Sequence, residues 1–316
     1  MSSRNILPAA SARTPLLAAL VALSSAAIAS AQPAGQRTAF ESVGPAAGQA
    51  DPAPGLEANW LDKLNPEIPS PIAAYIVAND HPMGSQIRLH EFTPFMRGGM
   101  LRTITKVGSV AGMDVSGYQG NVNWSSAYSK GARFAYVKAT EGTYYTNPYF
   151  TQQYNGSYNV GMIRGAYHFA RPDTTTGATQ ADYFVNHGGG WSADAKTLPG
   201  ALDMEYNPYG STCYGLSKSG MASWITSFSN RYKTRTGRYP VIYTSNSWWT
   251  TCVGTSGNFS ATSPLWVARY SSTVGTLPYA WSYYTFWQFA DSGTFPGDQN
   301  TFNGAYDRLV VLARGY

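Results

Sequence analysis

The alternation of strand-like and helix-like runs across residues 110–251 constrains the fold of this chain most. Short apolar runs are each followed by a run with helical spacing, and this pair repeats five times. Strands that alternate with helices are typical of parallel βα units. The predicted pairs of strand and helix are Gly112–Val115 with Trp124–Lys130, Phe134–Ala139 with Asn147–Asn159, Met162–Phe169 with Thr176–Asn186, Leu198–Glu205 with Ser217–Arg235, and Tyr239–Thr244 with Asn246–Thr251.

The helical pattern stops after residue 251, and about three strand-like runs follow. They are Leu265–Tyr270, Tyr284–Phe289 and a short segment near Asp298, joined by loops of Ser, Thr, Gly and Pro. Residues 110–316 are enough for one substantial core, but a complete (β/α)8 barrel usually takes ~250 residues. The pattern therefore predicts an α/β barrel that lacks some of its outer helices.

Two carboxylates stand two positions apart in Asp203-Met204-Glu205, at the end of the apolar run that begins at Leu198. Side chains at i and i+2 of a strand point to the same face, so both carboxylates are expected to project together. Crowded carboxylates repel, and one of them tends to keep its proton near neutral pH. A protonated acid beside an ionised partner suits cleavage of a glycosidic bond. The alternative is that Asp203 caps a helix and Glu205 is solvated.

Other polar residues also fall at the ends of predicted strands. They are Asp114 on the first strand, Tyr167 and His168 on the third, Gln288 on the seventh and Asp298 in the last segment. Barrel active sites lie at the carboxyl ends of the strands. We therefore expect these residues to gather with Asp203 and Glu205 at one mouth of the barrel, with His168 in a structural role.

Residues 1–31 have the pattern of a secretory signal peptide. Arg4 and Arg13 precede the apolar stretch Leu16–Ile28, and Ala29-Ser30-Ala31 resembles a cleavage site. The stretch is short for a membrane span, and no other segment approaches ~18 consecutive apolar residues. We therefore expect a secreted, extracellular protein without a membrane span.

Residues 32–109 hold few large apolar side chains. Trp60 and Tyr75 are the only Trp and Tyr before residue 110, although the chain has 9 Trp and 23 Tyr. Such a segment buries little surface and is predicted to be poorly structured on its own. Two interpretations stay open: a linker, or a propeptide that inhibits the domain that follows.

The charge balance of residues 110–316 limits the class of partner. This block has 14 Lys and Arg and 10 Asp and Glu without a basic cluster, so a nucleic-acid footprint is not predicted. Abundant Tyr and Trp and few charges suit a neutral or anionic polymer. No spacing typical of a metal or nucleotide site occurs, so neither a metal nor a cofactor is expected.

The chain has two cysteines, Cys213 and Cys252. Because the protein is predicted to be exported, we expect them to form a disulfide. The bond would tie the loop after the Asp203 strand to the helix near Trp248. A cysteine nucleophile paired with His168 is the weaker alternative.

Seven segments, in the right order over residues 111–316, resemble glycoside hydrolase family 25, the N-acetylmuramidase lysozymes. They are GMDVSGYQG from Gly112, FAYVKATEGTYYTNPYF from Phe134, GMIRGAYHFARP from Gly161, QADYF from Gln180, LPGALDMEYN from Leu198, YTFWQFADSG from Tyr284 and DQNTFNG from Asp298. The resemblance implies an irregular TIM-like (β/α)5β3 barrel. It also implies hydrolysis of the β-1,4 bond between N-acetylmuramic acid and N-acetylglucosamine in bacterial peptidoglycan, by a monomer.

The family motifs also carry residue roles onto this sequence. The proton donor maps to Glu205 and its partner acid to Asp203; the acid of the first strand maps to Asp114. The late acid maps to Asp298, which has the D-x-N-x-F pattern that its competitor Asp307 lacks. The family often has Val-Asp where this chain has Gly297-Asp298, so the late acid departs from the pattern.

The resemblance implies retention of configuration, with Asp203 orienting the 2-acetamido group of the sugar or acting itself as nucleophile. The residues expected to contact substrate are Tyr167, Lys138, Tyr206, Tyr243, Trp287 and Gln288. Lys138 and Glu141 could instead form a structural ion pair. Two other functions compete: a catalytically inactive carbohydrate-binding module, and another barrel glycosidase such as a chitinase.

Overall fold

The computed structural model describes residues 63–91 and 108–315. The strands are β1 Val110–Val115, β2 Phe134–Glu141, β3 Tyr145–Thr146, β4 Ile163–Phe169, β5 Ala201–Asp203, β6 Val241–Thr244, β7 Leu265–Ala268, β8 Phe286–Ala290 and β9 Asp298–Phe302. The helices are α1 Ser70–Asn79, α2 Ser85–Glu91, α3 Trp124–Ser129, α4 Phe150–Asn159, α5 Gly177–Phe184, α6 Lys218–Thr236, α7 Asn246–Cys252 and α8 Tyr306–Arg314.

Eight of these strands close into a barrel in the order β1-β2-β4-β5-β6-β7-β8-β9. Neighbouring strands from β1 to β8 run parallel, whereas β9 is antiparallel to both β8 and β1 and closes the ring. Strand β3 forms a short antiparallel hairpin with β2. Helices α3 to α7 connect the parallel strands in turn. This arrangement confirms the predicted irregular TIM-like (β/α)5β3 barrel.

Local sequence rules explain the longest helix, α6. Ser217 caps its first turn by accepting a hydrogen bond from the Gly220 amide. Gly237 ends it in the left-handed conformation, with φ +78°. Trp224 and Phe228 lie four positions apart on its buried face, so the helix covers the barrel with one apolar stripe.

Aromatic rings fill the barrel interior. Tyr136 on β2 lies 4.7 Å from the Trp266 ring on β7 and 5.6 Å from the Phe286 ring on β8. Since β2 is not adjacent to β7 or β8 in the ring of strands, these contacts cross the inside of the barrel. Gly165 on β4 makes room for them, because a Cβ there would lie 2.4 Å from the Tyr136 ring.

The predicted disulfide is present. Cys213 and Cys252 are bonded with Cα atoms 5.2 Å apart, across a separation of 39 residues. The bond joins the loop after β5 to the end of α7. That loop contains Glu205, so the bond restrains the chain that follows the acid pair.

Three elements differ from the sequence prediction. Strand β5 ends at Asp203, so Glu205 lies just beyond it, although Met204 still donates its amide to the Tyr243 carbonyl at 2.9 Å. The hairpin strand β3 was not predicted. Nor was α8, which buries Leu309 and Ala313 one turn apart and is the one helix of the described residues that follows β9.

Residues 63–91 are folded against the barrel, and that they are poorly structured on their own stays a prediction. Ile68 and Ile76 pack with Tyr118, and Met83 and Ile87 join the main core. The segment has few apolar residues of its own, but the barrel supplies their partners. The predicted signal peptide and the rest of the block, 32–62 and 92–107, lie outside the described residues. No helix among the described residues is both long and apolar enough to span a bilayer.

Candidate active site

Two acids from opposite ends of the described barrel sequence meet at the carboxyl ends of the parallel strands. Asp114 on β1 pairs in register with Asp298, the first residue of β9, because β9 runs antiparallel. The Gln288 amide nitrogen donates to Asp114 Oδ2 at 3.0 Å and to Asp298 Oδ2 at 3.1 Å. Asn300 donates a further bond to Asp114 at 2.6 Å. One amide thus ties the two acids together.

The orientation of Gln288 is fixed by two tyrosines. Its carbonyl oxygen accepts hydrogen bonds from the Tyr243 hydroxyl at 2.6 Å and the Tyr270 hydroxyl at 2.9 Å. Hydroxyl donors on one side identify the oxygen, so the amide nitrogen must face the acids. Tyr243 was expected to contact substrate, whereas Tyr270 was not singled out from the sequence.

Asp203 and Glu205 lie side by side at the same mouth, and both are fully buried. Asp203 ends β5 and is in register with Phe169 of β4 and Tyr243 of β6. Its side chain is hydrogen-bonded to the Glu205 carboxyl, and no other N–H or O–H of the described residues donates to its oxygens. Buried carboxylate oxygens usually accept several hydrogen bonds, so Asp203 retains capacity to accept one from a bound molecule.

Burial raises the pKa of all four acids. It raises the pKa of Glu205 to about 7 and that of Asp114 to about 6. The pKa of Asp203 lies well above its ordinary value because of burial and the adjacent Glu205 carboxyl. Burial also raises the pKa of Asp298, against the opposing charge of Lys63. A cluster of acids that retain protons near neutral pH is typical of a site for acid–base chemistry.

Residues of the 63–91 segment contact the Glu205 carboxyl directly. The Gly84 amide donates to Oε1 at 2.7 Å, and the amides of Gln86 and Ile87 donate to Oε2 at 2.8 and 3.0 Å. The last two belong to the first turn of α2, where amides have no partner within the helix. All three bonds favour the ionised carboxylate and lower its pKa, against the larger effect of burial.

Lys138 lies at the same end of the barrel in a buried ionic cluster. Its Nζ is 2.7 Å from Asp80 Oδ1 and 2.7 Å from Glu141 Oε2, and all three side chains are inaccessible to solvent. His81 contacts the other oxygen of Glu141 at 2.8 Å. Lys138 therefore forms the ion pair considered from the sequence, with a second carboxylate from the 63–91 segment.

The remaining aromatic candidates occupy different positions. The Tyr167 hydroxyl accepts a hydrogen bond from the Met83 amide at 3.1 Å. Tyr206 stacks on His90, with ring centroids 4.2 Å apart. Trp287 is largely buried, and its indole nitrogen donates to the Arg269 carbonyl at 2.9 Å. Tyr167 and Tyr206 therefore face the 63–91 segment, whereas the Trp287 indole nitrogen is bonded to backbone.

His168 and Asp307 do not join the acid cluster. His168 is hydrogen-bonded through both ring nitrogens, to Thr140 at 2.7 Å and to Gln180 at 2.9 Å, and burial lowers its pKa to about 4. Asp307 is exposed in the first turn of α8. Sequence reasoning missed Asn300, whose position in the D-x-N-x-F pattern was the available signal.

A cavity of about 400 Å³ remains beside the segment, between α2 and the ends of β6 and β7. Its walls include Glu91 of α2 and Tyr270 after β7. Glu91 accepts hydrogen bonds from Tyr206 at 3.0 Å and from Ser245. Within 63–91 and 108–315, no group of three His, Cys, Asp or Glu side chains could hold a metal ion.

Comparison with known proteins identifies relatives of the barrel. Residues 113–298 match the family model described as glycosyl hydrolases family 25. An N,O-diacetylmuramidase from Chalaropsis sp is 53% identical over 211 residues, which cover 66% of this chain and 100% of the relative. Lysozyme M1 of Streptomyces globisporus is 52% identical over 209 residues, covering 65% of this chain and 71% of the relative.

A solved structure gives the same result. A muramidase from Trichobolus zukalii is 55% identical and superimposes with a TM-score of 0.64, covering 66% of this chain and 100% of that chain. Both this muramidase and the Chalaropsis enzyme align over their whole length with only two thirds of the present chain.

Proposed function

Since the chain belongs to glycosyl hydrolase family 25 and is therefore a glycoside hydrolase, we propose that it is a muramidase. It hydrolyses the β-1,4 bond between N-acetylmuramic acid and N-acetylglucosamine in bacterial cell-wall peptidoglycan. The relatives named as lysozyme and N,O-diacetylmuramidase support this substrate. The observation that carries the proposal is the cluster of four buried acids with raised pKa at one mouth of the barrel.

In this proposal Glu205 is the general acid. A general acid must hold its proton near the working pH and deliver it to the glycosidic oxygen as the bond breaks. With residues 63–91 packed against it, burial raises the pKa of Glu205 to about 7, so in this form of the chain the group is mostly protonated in mildly acidic solution. Its neighbour Asp203 adds repulsion between like charges, which keeps the pair from losing both protons together.

Asp203 orients the 2-acetamido group of the sugar. Apart from Glu205, no group of the described residues is hydrogen-bonded to Asp203, so a carboxylate oxygen is available to accept a hydrogen bond from the acetamido N–H. Held in this way, the acetamido oxygen attacks the anomeric carbon, and water then opens the cyclic intermediate with net retention. Direct attack by the Asp203 carboxylate is the alternative route to the same stereochemistry.

Asp114 and Asp298 support this pair from the other side of the mouth. The charge of Asp114 contributes to the raised pKa of Asp203. Gln288 holds the two acids at a fixed spacing through its amide nitrogen. We assign Tyr167, Tyr206 and Tyr243 to the walls that contact sugar, with Lys138, Trp287 and Gln288 behind them.

Retention is tested with a soluble oligosaccharide of alternating N-acetylglucosamine and N-acetylmuramic acid. Proton NMR follows the anomer that forms first after cleavage by the active enzyme. The proposal predicts that the β-anomer appears first and mutarotates later. The α-anomer as the first product would exclude retention, and binding without cleavage would favour the carbohydrate-binding module.

We also propose that the protein is exported and acts as a monomer. The signal-like sequence of residues 1–31 supports export. Sequencing of the amino terminus of protein from culture medium, with light scattering of the purified protein, tests both points. An intact residue 1 in cell lysate alone, or a dimer mass, would contradict them.

A further inference from the structure

We infer that residues 63–91 are an inhibitory segment that occupies the catalytic site and must leave before the glycan chain can enter. The inference rests on the proposed muramidase function, because it concerns the same acid groups. Its evidence is that the segment contacts the proposed general acid, the residues around it, and the charged groups at the rim of the mouth.

Both carboxylate oxygens of Glu205 are occupied by the segment. Three backbone amides, from Gly84, Gln86 and Ile87, donate to them at 2.7 to 3.0 Å. A general acid must present its proton to the glycosidic oxygen of the substrate. Amide donors cannot accept that proton, and they leave no free oxygen for the sugar. Glu205 is therefore unable to act while the segment is seated.

The backbone at Met83-Gly84 lies against Glu205, where the proposed function requires the sugar to bind. The Met83 amide donates to the Tyr167 hydroxyl, and the Gly84 carbonyl oxygen lies 3.2 Å from the Tyr270 hydroxyl oxygen. Gly84 has φ +83°, and a Cβ there would lie 2.1 Å from the Tyr270 hydroxyl and 2.5 Å from Gln288 Oε1. The chain thus approaches the site floor as closely as a residue without a side chain permits.

Charged side chains of the segment form ion pairs with the barrel. The segment brings Lys63 to within 3.8 Å of Asp298 and Arg88 to within 2.6 Å of Asp291. It also brings Asp80 to Lys138 at 2.7 Å, where Asp80 Oδ2 accepts bonds from the Gly117 amide and the Tyr145 hydroxyl, both at 2.9 Å.

Cations of the segment thus meet acids of the mouth, and a carboxylate of the segment meets its buried lysine. This complementarity indicates a specific complex rather than chain that rests loosely on the barrel.

The relatives are consistent with a removable segment. The Chalaropsis enzyme and the solved muramidase from Trichobolus zukalii each align over 100% of their length with 66% of this chain. A barrel of this family therefore exists without the remaining third. The segment is accordingly placed to control access rather than to complete the barrel.

The test uses the full chain with a recognition sequence for a site-specific protease inserted between residues 91 and 108. The purified chain is assayed on insoluble peptidoglycan before and after cutting, with gel filtration to remove the released piece. Cutting lowers the effective concentration of the segment at the site. If the uncut site is free about 1% of the time, cutting and removal raise the rate about 100-fold.

A second variant tests the same point without cutting. Gly84→Val in the full chain introduces a side chain where the site leaves no room, and we expect it to unseat the segment and raise the activity of the uncut chain. Glu67→Val is the matched control, because Glu67 is an exposed residue of the same segment. The control should stay as inactive as the uncut parent.

The outcomes separate the two proposals. Equal activity of uncut parent, cut chain and Gly84→Val would overturn the inhibitory role and leave the muramidase standing. No activity in any form, with a normal thermal transition, would overturn the proposed function and with it the inhibition. Loss of the folded thermal transition on removing the segment would make it part of the barrel and overturn the inhibitory role.

Discussion

Glu205 is the residue on which the chemistry of this protein depends. Burial raises its pKa to about 7, while three amides of residues 63–91 bind both of its oxygens. The same carboxyl group thus has the proton affinity of a general acid and a partner that prevents its use. The sequence predicted the pairing with Asp203, because an i, i+2 spacing at a strand end needs no tertiary information.

Replacing Glu205 by Gln should lower kcat on peptidoglycan by about 10²–10⁴, the usual cost of losing a general acid. The assay uses the chain after the segment has been cut and removed. Asp307→Asn is the control, because this competing acid is exposed in α8 and outside the cluster. If Glu205→Gln kept most of the activity, the role assigned here would be wrong.

The raised pKa values also make a prediction about stability. Between about pH 4.5, where an unfolded Glu titrates, and about pH 7, folded Glu205 holds a proton that the unfolded chain has lost. The folded chain then binds more protons, so its free energy of unfolding falls as pH rises through that window. The Glu205→Gln variant has no carboxyl group at this position, so its free energy of unfolding does not fall for this reason as pH rises.

We therefore expect the difference in melting temperature, Glu205→Gln minus parent, to increase from pH 5 to pH 8. Other groups change the stability of both proteins equally, so their contributions cancel in the difference. His168 is one of them: burial lowers its pKa to about 4, so it makes the folded chain more stable as pH rises. Calorimetry of both full chains at four pH values measures it. A difference that stays constant or shrinks with pH would show that the pKa of Glu205 is not raised.

At the scale of elements, strand ends and their connections set the site. Strands β8 and β9 carry Gln288 and Asp298, and both residues reach Asp114 because β9 pairs with β8 on one side and with β1 on the other. A position at a strand end was visible in the sequence. The bridging bonds of Gln288 were not, because they depend on the antiparallel closure of β9, which no local pattern specifies.

Gln288→Leu should reduce kcat about tenfold or more and shift the pH profile, with a smaller change in KM. The amide is a donor to Asp114 and lowers its pKa, so its loss should move the pKa of that acid upward. Rates across pH 4–8 for the cut chain provide the measurement. An unchanged profile with a lowered melting temperature would indicate a purely structural residue.

The disulfide anchors the loop after β5 to the end of α7. Closing a loop between positions 39 residues apart stabilises the fold by about 4 kcal/mol in the chain-entropy model. The double variant Cys213→Ser and Cys252→Ser should therefore melt at a clearly lower temperature than the oxidised parent. The parent measured with reductant should approach the variant, and equal stability of oxidised and reduced parent would contradict this account.

For the whole molecule, the sequence was enough to predict the barrel, but not the packing of residues 63–91 against it. Alternating strand and helix patterns are local, so they survive in the sequence, as the caps of α6 show. Residues 63–91 lack such a pattern. They fold because Lys138, Glu205 and Asp298 of the barrel supply partners for their charges and amides. Composition describes what a segment can bury alone, not what it can bury against a neighbour.

The most direct test of the central claim identifies the bond that is cut. The chain freed of residues 63–91 digests purified peptidoglycan, the products are reduced with borohydride, and mass spectrometry identifies the new ends. A muramidase predicts muramitol ends, absent when Glu205→Gln is used. Glucosaminitol ends would contradict the account, because the same barrel would then cleave the other glycosidic bond of the polymer.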